Sequence, residues 1–372
     1  MTHFIAGKPV KGKDLIGRDK LLNEIHSLLK SGQSIVLIAP RRYGKTSILL
    51  ELLNRGKKDK IFTLNLDFFS IINIRDLAEK ITEGMLANKK LDKAFYNFKT
   101  SIGTLMKQIE FKHVVEDFEF ILDFAGTKIN DFQLLNNSIK FIESYSKRNN
   151  TQTLIGFDEF GDITKLDGDK IAKLFRTEIQ HQDNTSYIFA GSYESVMSNL
   201  FITSKSPFYR FARIIKLGMI NKEEYKTHIM QIFGELGVNI KEPIITEIIN
   251  FTKGHPYYTQ LICQHIELNY KNTDITEKKL NTIIEDVMWI EINYLEKLWE
   301  EITKSRENIP ALLAIARNSE KIYSEIGSKG INVSRALRSL MKTGIIEKKD
   351  KNYIITDPYL TYWINHKVIN KT

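Results

Sequence analysis

Eight residues constrain this chain more than any others. Ala39-Pro40-Arg41-Arg42-Tyr43-Gly44-Lys45-Thr46 follows directly on an apolar, β-branched run, Ser34 to Ala39, and leads into an amphipathic stretch, Ser47 to Asn54. Strand, loop and helix in that order give the pattern G-x-x-x-x-G-K-[ST] a chemical meaning, because loop N–H groups and the positive end of the helix dipole converge on one point. A phosphate group fits that point. The loop and helix end bind a β-phosphate, Lys45 adds a point charge on the β- and γ-oxygens, and the Thr46 hydroxyl coordinates Mg²⁺. One position departs from the pattern. Ala39 stands where the first glycine is expected, which is harmless at negative φ and strained at positive φ.

A phosphate loop of this kind needs a carboxylate strand beside it. Leu154-Ile155-Gly156-Phe157-Asp158-Glu159 supplies one, a mostly apolar run ending in two acids at the C-terminal edge of the sheet. Asp158 then holds the hydration shell of the Mg²⁺ and Glu159 polarises an attacking water, the alternative being that the pair only caps the following turn. Tyr187 to Ser192 reads as the next strand, and Ser192 at its end is a candidate sensor of the γ-phosphate or, equally, part of an ordinary turn. Arg210 and Arg213 precede the last strand. They are candidates for stabilising charge on a transferred phosphoryl group, in this chain or in a neighbouring subunit, against a reading as surface or interdomain ion pairs.

Short apolar runs recur at Ser34 to Ala39, Ile61 to Leu66, Thr153 to Phe157, Tyr187 to Ala190 and Arg213 to Leu217. They are near-continuous instead of alternating, so they indicate strands covered on both faces, and the amphipathic stretches between them complete a parallel α/β sheet. After Leu217 helical periodicity takes over, at Glu223 to Leu236, Pro243 to Phe251, Tyr257 to Tyr270 and, as one long segment, Glu277 to Ile302. A small helical lid with a connecting helix is expected. Helices around Ala311 to Ala316, Ile322 to Ile326 and Ser334 to Thr343, then a hairpin with a basic tip from Lys348 to Asn352, describe a winged helix. The expected division is a core at 1–218 with a helical insertion at about 88–130, a lid and connecting helix at 219–305, and the winged helix at 306–372.

Of the formal charge of +9, the segment from Arg306 to Thr372 carries +6, with 12 Lys and Arg against 6 Asp and Glu. Arg335 and Arg338 on the third of those helices, with Lys348, Lys349 and Lys351 on the wing, make DNA a candidate partner. The alternative is a solvated face or a protein partner, with Tyr359, Tyr362 and Trp363 packing the module back on the lid. A single cysteine, Cys263, rules out an intrachain disulfide, and no apolar run reaches the ~18 residues needed to cross a bilayer. A cytoplasmic protein without membrane association is expected.

These motifs together resemble a known family, the archaeal-type P-loop ATPases of the signal-transducing (STAND) branch of the AAA+ class. Gly7-Lys8-Pro9-Val10 followed by Leu15-Ile16-Gly17-Arg18-Asp19 resembles its N-terminal segment, in which Ile16, Gly17 and Arg18 border the adenine pocket. Pro40-Arg41-Arg42-Tyr43-Gly44-Lys45-Thr46-Ser47 is similar to its P-loop with paired arginines. Gly254-His255-Pro256 resembles the Gly-x-Pro step that brings a lid helix, through Pro256, against the nucleotide, although from the residues alone it is a helix stop and restart. The resemblance implies an AAA+-like parallel-sheet core with a helical lid and a C-terminal winged helix. It implies ATP and ADP as ligands, Mg²⁺ as cofactor, and a hydrolysis-driven switch that acts on DNA, on a protein partner or on further copies of itself. A non-hydrolysing nucleotide-binding scaffold and a P-loop phosphotransferase are the competing classes. Against the latter, no acceptor-binding motif is visible and Glu159 suits water activation.

Overall fold

The computed structural model describes residues 2–86, 130–192, 194–319, 322–327 and 330–369. Along the first part of the chain run α1 (Asp19–Lys30), β1 (Ile35–Ile38), α2 (Lys45–Lys58), β2 (Phe62–Asp67), α3 (Ile74–Leu86), α4 (Asp131–Arg148), β3 (Thr153–Asp158), α5 (Asp169–Ile179), β4 (Thr185–Gly191), α6 (Glu194–Phe201) and β5 (Arg213–Lys216). The insertion expected at about 88–130 lies outside the described residues, apart from Asn130, whose side chain caps α4. The five strands form one sheet in the order β2-β3-β4-β1-β5, and every neighbouring pair is parallel.

Why the strands read as unbroken apolar runs is visible in their side-chain alternation. Val36 and Ile38 enter one apolar cluster with Ile155, Phe157, Tyr187 and Phe189. Ile35 and Leu37 enter another on the opposite face, with Leu154, Ile188 and Ala190. Both faces of the sheet are therefore roofed by helices, and no position on the central strands can be polar without cost.

The rest of the chain is helical: α7 (Lys222–Glu235), α8 (Glu242–Thr252), α9 (Pro256–Asn269), α10 (Glu277–Ile290), α11 (Ile292–Thr303), α12 (Asn308–Ala316), α13 (Ile322–Gly327) and α14 (Val333–Lys342). An antiparallel hairpin of β6 (Ile346–Lys349) and β7 (Asn352–Ile355), a helix, α15 (Pro358–Trp363), and a π-helical turn, Ile364–Ile369, close the described structure. Two details differ from the sequence expectation. The segment Glu277 to Ile302 is two helices, interrupted at Glu291, whose φ of −91° and ψ of 2° end one helix and start the next. Lys348 and Lys349 belong to β6, where Lys348 pairs with Tyr353, so the hairpin tip is only Asp350-Lys351. A single apolar cluster includes Tyr225 of α7, Leu280 of α10, Leu312 of α12, Leu337 of α14 and Tyr359 and Ile364 near the end, so the helices and the terminal hairpin share one core.

An N-terminal strap ties these parts to the sheet. The backbone N–H groups of His3 and Phe4 donate to the Glu267 carboxylate of α9, at 2.9 and 3.0 Å to its nearest oxygens, while those of Val10 and Gly12 donate to Ser47 Oγ and Glu51 Oε2 of α2, at 3.1 and 3.0 Å. On the other side, Gly254 closes the joint between α8 and α9. Its φ is +75°, and a Cβ there would lie 2.6 Å from the Ile220 carbonyl oxygen, while the Ile220 N–H donates to the Gly254 carbonyl at 3.1 Å.

Gly254→Ala is therefore expected to cost about 2 kcal/mol or more, combining left-handed strain with a backbone clash. Gly237→Ala, at φ +67° in open space, should cost only the strain, about 1–2 kcal/mol. Urea midpoints of the two variants decide this, and equal losses would show that the approach to Ile220 relaxes freely.

Candidate functional site

The sheet order sets the geometry. β1 ends at the loop, β3 ends at Asp158, and β4, between them, ends at Gly191-Ser192. Three strand ends therefore open on one crevice at the C-terminal edge, where parallel sheets bind ligands. A cavity of about 770 Å³ occupies it, with Gly44, Lys45, Thr46, Asp158, Glu159 and Ser192 at one end and Ile16, Arg18, Tyr225 and Pro256 among its other walls.

At the phosphate-loop end, Thr46 Oγ1 donates to Asp158 Oδ2 at 2.7 Å, a hydroxyl on the first turn of α2 meeting a carboxylate carried across β4. Burial pushes the Asp158 carboxyl above its usual range, and the Thr46 hydrogen bond opposes that rise. Hydroxyl and carboxylate oxygens side by side are the hard donors that Mg²⁺ uses together with phosphate oxygens and water. Lys45 is 4% exposed. Its ammonium donates to the carbonyls of Ala39 and Pro40 at 3.0 and 2.9 Å, and burial lowers its pKa to about 8.

Glu159 is held in a left-handed conformation, φ +47°. One carboxylate oxygen accepts from the Ser192 N–H at 3.2 Å and the other from the Ser192 hydroxyl. Ala39 is not among the residues with positive φ, so the alanine in place of glycine strains nothing, whereas Arg42 and Gly44 have φ of +67° and +84°.

The remaining candidates fall into three groups. Ile16 and Arg18 line the far end of the cavity; Arg18 is buried, donates from Nη2 to the Gly218 carbonyl at 2.5 Å, and has its pKa lowered by burial. Gly17 turns the chain between them at φ +63°, and Ser47 is buried under the strap. Pro40 and Tyr43 shape the loop; Arg41 and Arg42 also border the cavity, but the Arg42 guanidinium is paired with Glu291. Arg210 and Arg213 are not brought to the loop. Arg213 opens β5 opposite Ile35, at the sheet edge away from the phosphate loop, and pairs with Glu24 at 3.1 Å. Arg210 lies over the Tyr209 ring at 5.3 Å. Neither arginine lines the cavity.

His255 is buried, caps α9 by accepting from the Tyr258 N–H, and is held neutral by burial, with a pKa lowered to about 3. Asp67, Tyr225 and Tyr257 also line the cavity, and no motif in the sequence singles them out; only their position at a strand end or a helix start places them there. Among the described residues, no helix is long and apolar enough to cross a membrane.

A family model of an ATPase domain predominantly from Archaea matches residues 15–262. Among solved structures, a Walker-type ATPase of Pyrococcus abyssi shares 18% identity at a TM-score of 0.72, covering 98% of this chain and all (100%) of that one. The ORC2 protein of Aeropyrum pernix, solved in ADPNP-ADP complexes, shares 11% identity at a TM-score of 0.58, covering 99% of this chain and 98% of its own. At such identities the likeness is one of fold. No curated protein matches the chain in sequence.

The Lys45 environment carries a pH signature. Its folded pKa of about 8 lies below the ordinary lysine value of 10.5, so between these values the unfolded chain binds more protons and the free protein gains stability as pH rises. Phosphate binding needs the charged form. Affinity for ADP should be flat in this group below pH 8 and fall by up to about tenfold per pH unit above it, with proton uptake on binding. Calorimetric titrations from pH 7 to 10 test both; a flat affinity across that range would remove Lys45 from the phosphate contact.

Proposed function

The chain belongs to the family of ATPase domains found predominantly in Archaea, and from that premise we propose that it is a Mg²⁺-dependent ATPase whose nucleotide state governs the C-terminal helices and hairpin. The observation that carries this reading is the Thr46–Asp158 hydrogen bond in the same cavity as Lys45 and Glu159. Four roles meet within it: phosphate cradle, phosphate cation, metal ligands and water base.

ATP enters with its phosphates at the N-terminal end of α2 and its base toward Ile16, Arg18 and Tyr225. Lys45 exchanges its two carbonyl partners for β- and γ-oxygens, while the loop N–H groups take the β-phosphate. Thr46 and Asp158 are the residues that would hold a Mg²⁺, which when bound would supply positive charge to offset that of the phosphates. Glu159 orients a water in line with the γ-phosphorus and accepts its proton as the new P–O bond forms and the bond to ADP breaks. The Ser192 N–H and hydroxyl donate to the two oxygens of that carboxylate, which supports Ser192 as the residue that orients Glu159 and senses the γ-phosphate. Pro256 and Tyr257, at the start of α9, carry the nucleotide state into the helical region.

The output is assigned to a winged helix at 306–372 that binds DNA. Arg335 and Arg338 on α14 and Lys348, Lys349 and Lys351 on the hairpin are all exposed, and they supply positive charge on the two elements such a module lays on a duplex.

Glu159→Gln should keep ATP binding and slow hydrolysis by about 10²-fold or more, because the amide can orient water but cannot take its proton. Single-turnover phosphate release measures it. Wild-type rates in this variant would mean that another group activates the water, and no release from the wild type would favour a non-hydrolysing scaffold.

For DNA, a complex using about five phosphate contacts should show a log-log salt slope near −4.5, and reversing the three hairpin lysines should reduce its magnitude by about 2 to 3. Fluorescence anisotropy on a short duplex gives the slope. Absence of binding at 50 mM salt with either ADP or ATP would assign this face to a protein partner.

A further inference from the structure

Arg42 is an odd residue for its place. Arg42 and Gly44 are left-handed, with Tyr43 at negative φ between them, and such alternation turns successive N–H groups inward as an anion-binding nest. Glycine enters the left-handed region freely. Arginine carries a Cβ and is disfavoured there by a factor of about ten. The Lys45 side chain, from the first turn of α2, reaches Ala39 and Pro40, before the nest begins, and so does not hold Arg42.

The compensation comes from the helical region. Arg42 donates to Glu291 Oε2, and its guanidinium lies 4.2 Å from the Tyr257 ring centroid and 4.3 Å from that of Tyr294. Glu291 is itself fixed. It occupies the break between α10 and α11, its side chain is 8% exposed, and its other oxygen accepts from the Tyr257 hydroxyl at 2.7 Å. The carboxylate thus has a set position and direction, and two aromatic faces sandwich the cation it holds.

We infer that Glu291 is a positioning residue for nucleotide binding: it holds Arg42 in the left-handed conformation that completes the phosphate nest. This rests on the reading of the cavity as a nucleotide site. A loop without the clamp occupies its binding conformation a fraction of the time, and apparent affinity falls by that fraction. Coupling is reciprocal, so bound nucleotide must strengthen the contact between the loop and the α10–α11 joint by the same factor. The break in the long helix therefore has a purpose that its sequence does not announce.

The test is a set of dissociation constants for ADP·Mg²⁺ by calorimetry, with melting curves of each protein free of nucleotide. Glu291→Gln, which keeps the shape and removes the charge, should weaken binding about tenfold, and so should Arg42→Ala. Arg42→Gly should bind about tenfold tighter than Arg42→Ala, because glycine adopts the left-handed turn without help. In the Arg42→Gly background, adding Glu291→Gln should change the constant less than about twofold. A carboxylate with a structural role alone would lower the melting point in both backgrounds and leave these ratios near one. Equal binding by Arg42→Ala and Arg42→Gly, or wild-type affinity in Glu291→Gln, overturns the inference, and the alanine–glycine comparison holds even should Glu291→Gln fail to fold. A wild-type protein that binds no ADP·Mg²⁺ would bring down the nucleotide reading itself, an outcome distinct from either of these.

Discussion

The first backbone N–H groups of a helix have no partners within it, and the whole architecture is arranged around those of α2. The loop before α2 bends back on two left-handed residues so that its own N–H groups point the same way. The helix start supplies Lys45 and Thr46 on its first turn, and strand order does the rest. β4 separates β1 from β3, and this spacing lets the Asp158 carboxylate meet the Thr46 hydroxyl across one strand end. Were β3 directly beside β1, Asp158 would have no strand end between it and the loop, and Ser192 would have no place from which to hold Glu159.

Electrostatics follows from the same enclosure. Burial raises the Asp158 carboxyl and lowers the Lys45 ammonium, opposite directions that both oppose charge in an apolar crevice. The hydrogen bonds each group makes, Lys45 to two carbonyls and Asp158 from Thr46, offset that cost only in part. A phosphate with its cation would serve both, as the proposed function requires, supplying negative charge to Lys45 and positive charge to Asp158.

What the sequence made legible is what is local. The phosphate loop, Asp158-Glu159 and the five strands can be read because apolar runs and turn chemistry act within about ten residues; strand ends differ from expectation by a residue or two, while helix ends run further, the helix expected to stop at Asn54 reaching Lys58 and the one expected to stop at Tyr145 reaching Arg148. The break at Glu291 was hidden because helical periodicity continues through it; only the distant Arg42 explains why the carboxylate turns aside. Arg213 shows a different limit. Its position just before a strand looks adjacent to the phosphates in the sequence, but in a parallel sheet the start of every strand lies at the edge opposite the ligand, so the residue is a strand's length away within this chain.

The division of labour between apolar and polar contacts also determines where the molecule can part. One unbroken apolar cluster joins the helices from α7 to the terminal hairpin and α15, and separating them would expose that surface at roughly 25 cal/mol per Å². Contact between this body and the loop is of another kind. Tyr43 meets His255 edge-on at 4.8 Å, His255 packs on Tyr258 at 4.8 Å, and the Tyr258 hydroxyl donates to Asp357, the cap of α15, at 2.6 Å. Beside that chain the Tyr43 hydroxyl and the amide oxygen of Asn308 have no hydrogen-bond partner among the described residues. A seam of a few aromatic and polar contacts, the Arg42–Glu291 pair among them, yields more readily than a continuous apolar core. If nucleotide acts through the proposed switch, the helices and terminal hairpin should move as one body against the sheet, with the phosphate loop at the seam, because the shared apolar cluster holds the hairpin to the helices that carry it.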